Sequence, residues 1–253
     1  MLQYNTWTIE QNEWLPTQEM AIEQQLTFSN DYLCQTAHFE EHYSAPNRLC
    51  TYIKGIDTSI LNLSAISVRL EDERLDLYEW HVEQFYRCLH KNKPILERHF
   101  VATSPKGHTL KVRAERQLMM DAKNLMQLVY EVQSVNYTGP ITILSLLRGG
   151  EDADQWYSLM NHVGDDLCWR WMQLQPMNIQ LCCAMSCQLK KNDKLVVQRP
   201  IKIEKQDVIG YSIAQRIKPG DKLTLCKKVA VVDSNDYAKD HLIDHAIRCL
   251  TNL

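Results

Sequence analysis

Glycine is scarce in this chain, eight of 253 residues, or about 3% against the ~7% of ordinary proteins. The one adjacent glycine pair lies in "LLRGGED" (Leu146 to Asp152). That stretch has neither the spacing of a phosphate cradle nor a helix pattern behind it, so it reads as a plain loop. Basic excess is missing too: 28 Lys and Arg against 31 Asp and Glu give a formal net charge of −3, without the electrostatic footprint of a nucleic-acid binder. No apolar run approaches the ~20 residues of a membrane-spanning helix. The start, MLQYNTWTIEQNEW, has neither the basic nor the apolar region of a signal peptide. These absences predict a soluble, cytoplasmic protein with neither nucleic acid nor membrane as partner.

Cysteine is plentiful, but its useful spacings are absent. Cys182, Cys183 and Cys187 crowd together in "IQLCCAMSCQL", yet no C-x-x-C pair occurs among the nine cysteines, so a closed zinc site is not expected. An odd count without an export signal points to reduced thiols that act as small buried hydrophobes. No metal and no cofactor is expected.

What the chain does have is a period of two. Ile179, Leu181, Cys183, Met185, Cys187 and Leu189 alternate with other residues, which places them on one face of a strand, the core face. The same alternation runs through Leu63 to Leu70, Leu110 to Leu118, Leu125 to Val135, Ile141 to Leu147, Val208 to Ile213 and Leu223 to Val231, with the β-branched enrichment of strands. Turn signals stand between them: "SPKGH", "YTGP", "KKND" and "KPGD", where Pro presets φ and Gly accepts positive φ. Strands joined by short turns without intervening helices predict an all-β, antiparallel sandwich or barrel. The length suits one large β domain or two ordinary ones. Only Ala238 to Leu250 breaks the period, placing Leu242, Ile243, Ala246, Ile247 and Leu250 at helical spacing. This predicts an amphipathic helix that either folds back on the sheets or awaits a partner.

The stretch Phe28 to Ile56 packs two cysteines, two histidines, three tyrosines and an acidic pair into one span with no catalytic spacing. Its "FEEHYS" (Phe39 to Ser44), followed by "TYIKGI" (Thr51 to Ile56), resembles the N-terminal domain of the maltose phosphorylases in glycoside hydrolase family 65. Trp7, the acidic approach Glu10 to Glu19, Asn30, "LERHFVAT", "AERQLMM" with Arg116, "YEVQSVNYTG" and "EDADQW" follow the family's order. The likeness is strongest over residues 7 to 156. It implies a large antiparallel β super-sandwich over 1–234, then the start of a helical linker over 235–253 leading to an (α/α)6 barrel that these residues do not encode. In that family the barrel performs inverting phosphorolysis or hydrolysis of α-glucosidic disaccharides. The resemblance therefore implies a domain without catalytic residues of its own that packs on its own barrel, supports a homodimer, and meets an α-glucoside only through the full enzyme. The family pattern N-G-x-x-G-x-R-G-x-F-E-E is altered here: Asp31, Cys34, Thr36 and Ala37 stand where three glycines and an arginine are usual.

Among individual residues, Asn30, Phe39, Glu40, Glu41 and Tyr43 are candidates for a domain interface or the rim of a site. Adjacent strand residues point to opposite faces, so Glu40 and Glu41 are not expected to converge on one bond as glycosidase carboxylates do. His38 and His42 are four apart but lie among strand and loop signals, which argues against a metal. Arg116 alternates inward with Val112, Ala114 and Leu118 and needs a carboxylate or carbonyl partner: a buried ion pair, or a contact to sugar or phosphate. Trp156, Trp169 and Trp171 could stack on a sugar, although core or interface use is the commoner role of such residues. The leading expectation is a non-catalytic scaffold. The alternatives are a free-standing carbohydrate-binding or interaction module and a small enzyme of mutarotase type.

Overall fold

The computed structural model describes residues 1–41, 51–56, 59–149, 155–175 and 177–251. The chain opens on a hairpin, β1 (Leu2–Tyr4) and β2 (Thr8–Gln11), then helix α1 (Glu19–Gln25) and three short strands, β3 (Phe28–Ser29), β4 (Leu33–Gln35) and β5 (Thr51–Ile53). After β6 (Ile66–Leu70) and β7 (Glu73–Arg74) comes a meander of long strands, β8 (His81–His90), β9 (Ile95–Thr103), β10 (Thr109–Leu118) and β11 (Leu125–Ser134). Next are β12 (Gly139–Arg148), β13 (Trp156–Val163), β14 (Leu167–Leu174), β15 (Ile179–Lys191) and β16 (Lys194–Leu195). Strands β17 (Ile201–Lys205), β18 (Val208–Ile217) and β19 (Lys222–Asp233) precede a 3-10 turn (Lys239–His241) and helix α2 (Leu242–Thr251).

An 11-stranded sheet runs β1-β2-β8-β9-β10-β11-β19-β15-β14-β13, with β16 attached to β15. A five-stranded sheet, β17-β18-β12-β6-β7, shares one core with it, and β3-β4-β5 form a third small sheet. Pairing between the named strands is antiparallel, as the short turns require. At the β15–β16 turn Asn192 and Asp193 take φ of 49° and 64°, the conformation that two-residue hairpin loops favour. No helix among the described residues is long and apolar enough to cross a membrane.

The core lies where period-two faces meet. Leu181, Cys183, Met185 and Leu189 of β15 point into the main core with Phe100, Val112, Leu128 and Leu225, against Val68, Ile143 and Ile209 of the smaller sheet. The other face of β15 is also covered. Cys182 and Ala184 join Leu125, Ala230 and Val232 in a second core beneath Leu242, Ala246 and Leu250 of α2. The apolar stripe of α2 therefore has its partner within the domain, which decides for the first of the two alternatives, a helix folded back on the sheets. The reason is the double burial of β15 and β19, whose outward faces are too apolar to be left in water.

Two further differences have local causes. Helix α1 was not expected, because its inward positions include Glu19 and Glu23 beside Ile22, and carboxylates on the buried side erase the apolar stripe. The strand anticipated from Leu63 begins only at Ile66. The Asn62 side chain caps the preceding turn by accepting from Ser64 N at 3.1 Å, while the Asn62 backbone bridges to Arg148. Since Leu242 is fully buried under two strands, Leu242→Ala should cost about 2–5 kcal/mol. A urea melt that left the midpoint unchanged would show that α2 contributes nothing to the fold.

Candidate functional site

Charge sits in the middle of the sandwich because the large sheet turns several charged positions inward. Cross-strand register sets Gln11 opposite Arg87 and Arg87 opposite Arg98. Arg98 is opposite Ala114, which is opposite Tyr130. In the adjacent row Arg116 faces Leu128, which faces Lys227. A register shift between Glu83 and Tyr86, with Gln84 at φ 51°, inserts one extra residue in β8. That bulge changes the parity of the strand, so that Phe85 and Arg87 face the core.

Opposite this row lies the segment 36–41, held between the two larger sheets. The Ile66 amide donates to Glu40 O at 2.8 Å, and Glu41 forms a parallel bridge to Ile66. Because 36–40 is not a strand, the two glutamates do not diverge. Both carboxylates accept from the same Arg98 Nη2, at 2.6 Å for Glu41. This corrects the expectation of opposite faces. Arg116 Nε lies 2.7 Å from Glu40 Oε1, and its Nη2 donates to His38 O at 2.5 Å. Tyr130 Oη donates to Glu41 Oε1 at 2.6 Å. Arg87 donates to Glu19 at 2.5 Å, to Gln11 at 2.5 Å and to Ala37 O at 2.6 Å. The Phe39 ring is flanked by Arg98 at 4.6 Å and Arg87 at 5.2 Å, so cation–π attraction supplements the hydrogen bonds. Arg98 Nη1 has no hydrogen-bond partner among the described residues; the guanidinium instead lies against the Phe39 and Phe100 rings.

These groups are sealed from solvent: Arg98, Arg116, Glu40 and Glu41 are each at most 3% exposed. Burial raises the Glu40 carboxyl, but Arg98 and Arg116 outweigh it and hold it down to about 2. For Glu41 burial prevails, reinforced by the charge of Glu40 against Arg98, and its acidity is weakened. Burial and the charge of Arg116 lower His38 to about 3, so its imidazole is neutral. His38 Nδ1 faces Thr36 O at 3.1 Å and carries the proton, leaving Nε2 to accept from Ser64 Oγ at 2.7 Å. Lys227 donates to Leu146 O at 2.7 Å and Ala65 O at 3.3 Å, tying the large sheet to the smaller one. Its burial lowers the ammonium to about 7. The network can position backbone and bind the sheets together. Its carboxylates are committed to arginines and buried.

The sequence candidates are distributed unevenly around this network. Phe39, Glu40, Glu41 and Arg116 meet in it. Asn30 lies apart: its Oδ1 accepts from the amides of Tyr32 and Leu33, and its Nδ2 donates to Met119 O at 2.7 Å and Lys123 O at 3.0 Å. Tyr43 and His42 lie outside the described residues. Trp156 packs on the main core and donates to Ser59 O at 2.9 Å. Trp169 and Trp171 share a face, but it is the face that α2 covers. The three tryptophans thus do not assemble into one platform. In the altered loop, Asp31, Cys34, Thr36 and Ala37 are not among the positive-φ residues, so this backbone has no need of glycine there. Sequence reasoning missed Arg87, Arg98 and Lys227. The signal was a charged residue in phase with inward apolar neighbours, as in Leu96-Arg98-Phe100, the pattern that did single out Arg116.

Arg98→Met should destabilise the fold by about 3–5 kcal/mol, because it strands two buried carboxylates, and adding Glu40→Gln and Glu41→Gln should recover part of the loss. Equal stability of the single variant and the parent would contradict this role. Lys227 gives a pH test. Its folded pKa lies below the unfolded value of 10.5, so the unfolded chain holds the extra proton between pH ~7 and ~10.5, and stability contributed through this group rises with pH there. Lys227→Met removes that dependence. The stability of the variant relative to the parent should fall by about 1.4 kcal/mol per pH unit across the window; urea melts at pH 7 and 9 with a constant difference would refute the assignment.

Comparison with known proteins completes the site. The sequence profile of "Glycosyl hydrolase family 65, N-terminal domain" matches residues 9–253. An alpha,alpha-trehalose phosphorylase of Thermoanaerobacter brockii is 23% identical over 96% of this chain and 36% of its own length. A maltose phosphorylase of Bacillus subtilis (strain 168) is 24% identical over 59% of this chain and 22% of its own. The solved structure of a candidate kojibiose phosphorylase from the human microbiome superposes with a TM-score of 0.85 at 18% identity, covering 99% of this chain and 36% of that one. The chain thus spans about a third of the length of the first of these relatives. With an antiparallel sandwich clasped around Phe39-Glu40-Glu41 and a match over residues 9–253, the chain belongs to the glycosyl hydrolase family 65 N-terminal domain family.

Proposed function

We propose that this chain is a non-catalytic β-domain of a phosphorylase-type enzyme acting on α-glucosidic disaccharides of the trehalose, maltose or kojibiose kind, working in the cytoplasm. Its role is to pack on a catalytic barrel and to support a homodimer, with α2 as the first element of the connection to that barrel. The observation that carries this reading is the commitment of Glu40 and Glu41 to buried arginines. An inverting mechanism needs a carboxylic acid facing the leaving oxygen, and these are closed off from any sugar.

A surface suited to association lies at the opposite end from β1. Edge strand β13 exposes Tyr157, Leu159 and Met160, and the neighbouring β17 exposes Ile201 at 69%. Large apolar side chains clustered along sheet edges favour a contact with another protein surface. One observation favours the second reading, a carbohydrate-binding module. Trp7 is 62% exposed at the β1–β2 turn, where the Asn5 side chain accepts from Trp7 N at 3.1 Å and Thr8 N at 2.8 Å.

The purified chain should release neither glucose nor glucose 1-phosphate from maltose, trehalose or kojibiose, with or without inorganic phosphate; turnover above the blank would overturn the non-catalytic role. Light scattering should give twice the 29.6 kDa of the chain, and Leu159→Lys with Ile201→Lys should return it to the monomer. A monomeric parent would remove the dimer from the proposal. Quenching of tryptophan fluorescence by a disaccharide in the parent but not in Trp7→Ala would favour the binding module instead.

A further inference from the structure

We propose that the outer face of the large sheet holds an oxyanion site, a groove across β9, β10, β11 and β19 that takes a phosphate group, free or esterified to a sugar. The groove encloses about 220 Å³ and is lined by Gln84, His99, Lys111, Arg113, Glu131 and Lys222 among others. It goes beyond the scaffold role, since it lies on the face turned away from the buried network.

Register puts its charges together. Lys111 stands opposite Val101 on one side and Gln133 on the other, and Gln133 is opposite Lys222. In the next row Arg113 stands between His99 and Glu131. Lys111 and Arg113 are two apart on one strand and so rise from the same face as near neighbours. Of the charged side chains that line the groove, Lys111, Arg113 and Lys222 are cationic and Glu131 alone is anionic. Glu131 is already engaged, by Lys222 at 3.3 Å and Thr224 Oγ1 at 3.2 Å. The carboxylate nearest Arg113 is Glu115 at 3.7 Å, too far for a hydrogen bond. Lys111 has no ion pair or side-chain hydrogen bond among the described residues. Lys222 is shared between Glu131 and Asp193, the latter at 3.6 Å, so the N–H donors left for a ligand are those of Lys111 and Arg113.

The remaining walls suit the same ligand. Tyr86 stacks on the His99 ring at 4.9 Å and 28°, fixing the imidazole plane. Burial and the charge of Arg113 lower the His99 pKa, which leaves a neutral ring able to donate one hydrogen bond. The bulge in β8 that turns Arg87 inward also places Gln84 on the groove wall at φ 51°. A planar guanidinium beside a mobile ammonium is the pairing that recognises tetrahedral oxyanions. The volume is several times the ~30 Å³ share of one water, room for the anion and part of an attached ring.

The test is calorimetric titration of the full chain with inorganic phosphate, glucose 1-phosphate and glucose in a phosphate-free buffer. Both phosphate compounds should bind and glucose should not, and affinity should weaken as salt is raised to about 0.3 M. Lys111→Ser with Arg113→Ser should weaken binding tenfold or more while leaving the unliganded melting temperature unchanged, because both side chains are exposed. Tighter binding of glucose 1-phosphate than of phosphate would identify a sugar ester as the ligand, and equal binding the free anion. No heat from either compound up to about 10 mM, or full affinity in the double variant, would overturn the proposal. The catalytic assay is a separate measurement, so either conclusion can fail without the other.

Discussion

One guanidinium sets the terms for the interior. Arg98 Nη2 donates to both Glu40 and Glu41, and all three side chains are shut away from water. Removing such charges from water costs several kcal/mol each unless partners restore the lost interactions. Of the four arginines buried on the large sheet among the described residues, Arg87, Arg98 and Arg116 are met by the carboxylates of Glu19, Glu40 and Glu41, whereas Arg170 donates to Asn161 Oδ1 and to the carbonyls of Lys205 and Gln206. That demand explains the path of the chain. The segment 36–41 must enter between the sheets, and α1 must turn Glu19 inward, to deliver these carboxylates to the arginines.

Hydrophobic layers build outward from this polar centre. Around it, the alternating faces of β9 to β12, β15, β18 and β19 supply a dry shell. Beyond the large sheet, α2 covers a second apolar layer. Lys227 fits the same logic with less compensation, its ammonium meeting two carbonyls of the facing sheet with no carboxylate in hydrogen-bonding reach among the described residues. Its proton is correspondingly easy to lose. The polar interior thus gives the sandwich a specific register between sheets, which an all-apolar filling would leave looser.

Glu19, Glu40 and Glu41 are spent internally, and the domain's exposed chemistry is at the margins: apolar edges at β13 and β17, Trp7 on a braced turn, and cations on the outer sheet face. The trehalose phosphorylase and the candidate kojibiose phosphorylase that the chain resembles are about three times longer. The backbone between Asn30 and Phe39 has no position that calls for glycine. Asp31, Cys34 and Ala37 do not take positive φ, and Ala37 is packed with its carbonyl on Arg87.

The amino-acid sequence by itself determined the class of fold, because period two over many segments with short polar turns leaves only antiparallel sheets able to bury the apolar faces. It also marked Arg116 and the Phe39-Glu40-Glu41 segment, the first by its phase and the second by resemblance. The tertiary structure alone decided that the two glutamates converge. Local geometry of a strand would separate them, and only the bend at Glu40 with the facing Arg98 brings them together. The buried face of α1 and the inward turn of Arg87 were likewise hidden. Glutamates in a helix stripe read as solvent-facing until arginines stand opposite, and a single-residue bulge reverses the parity of a strand without altering its composition. The partner of α2 was undecided for a related reason: an apolar stripe states that a surface must cover it, whereas which surface does so depends on strands β15 and β19 meeting only after the chain has folded.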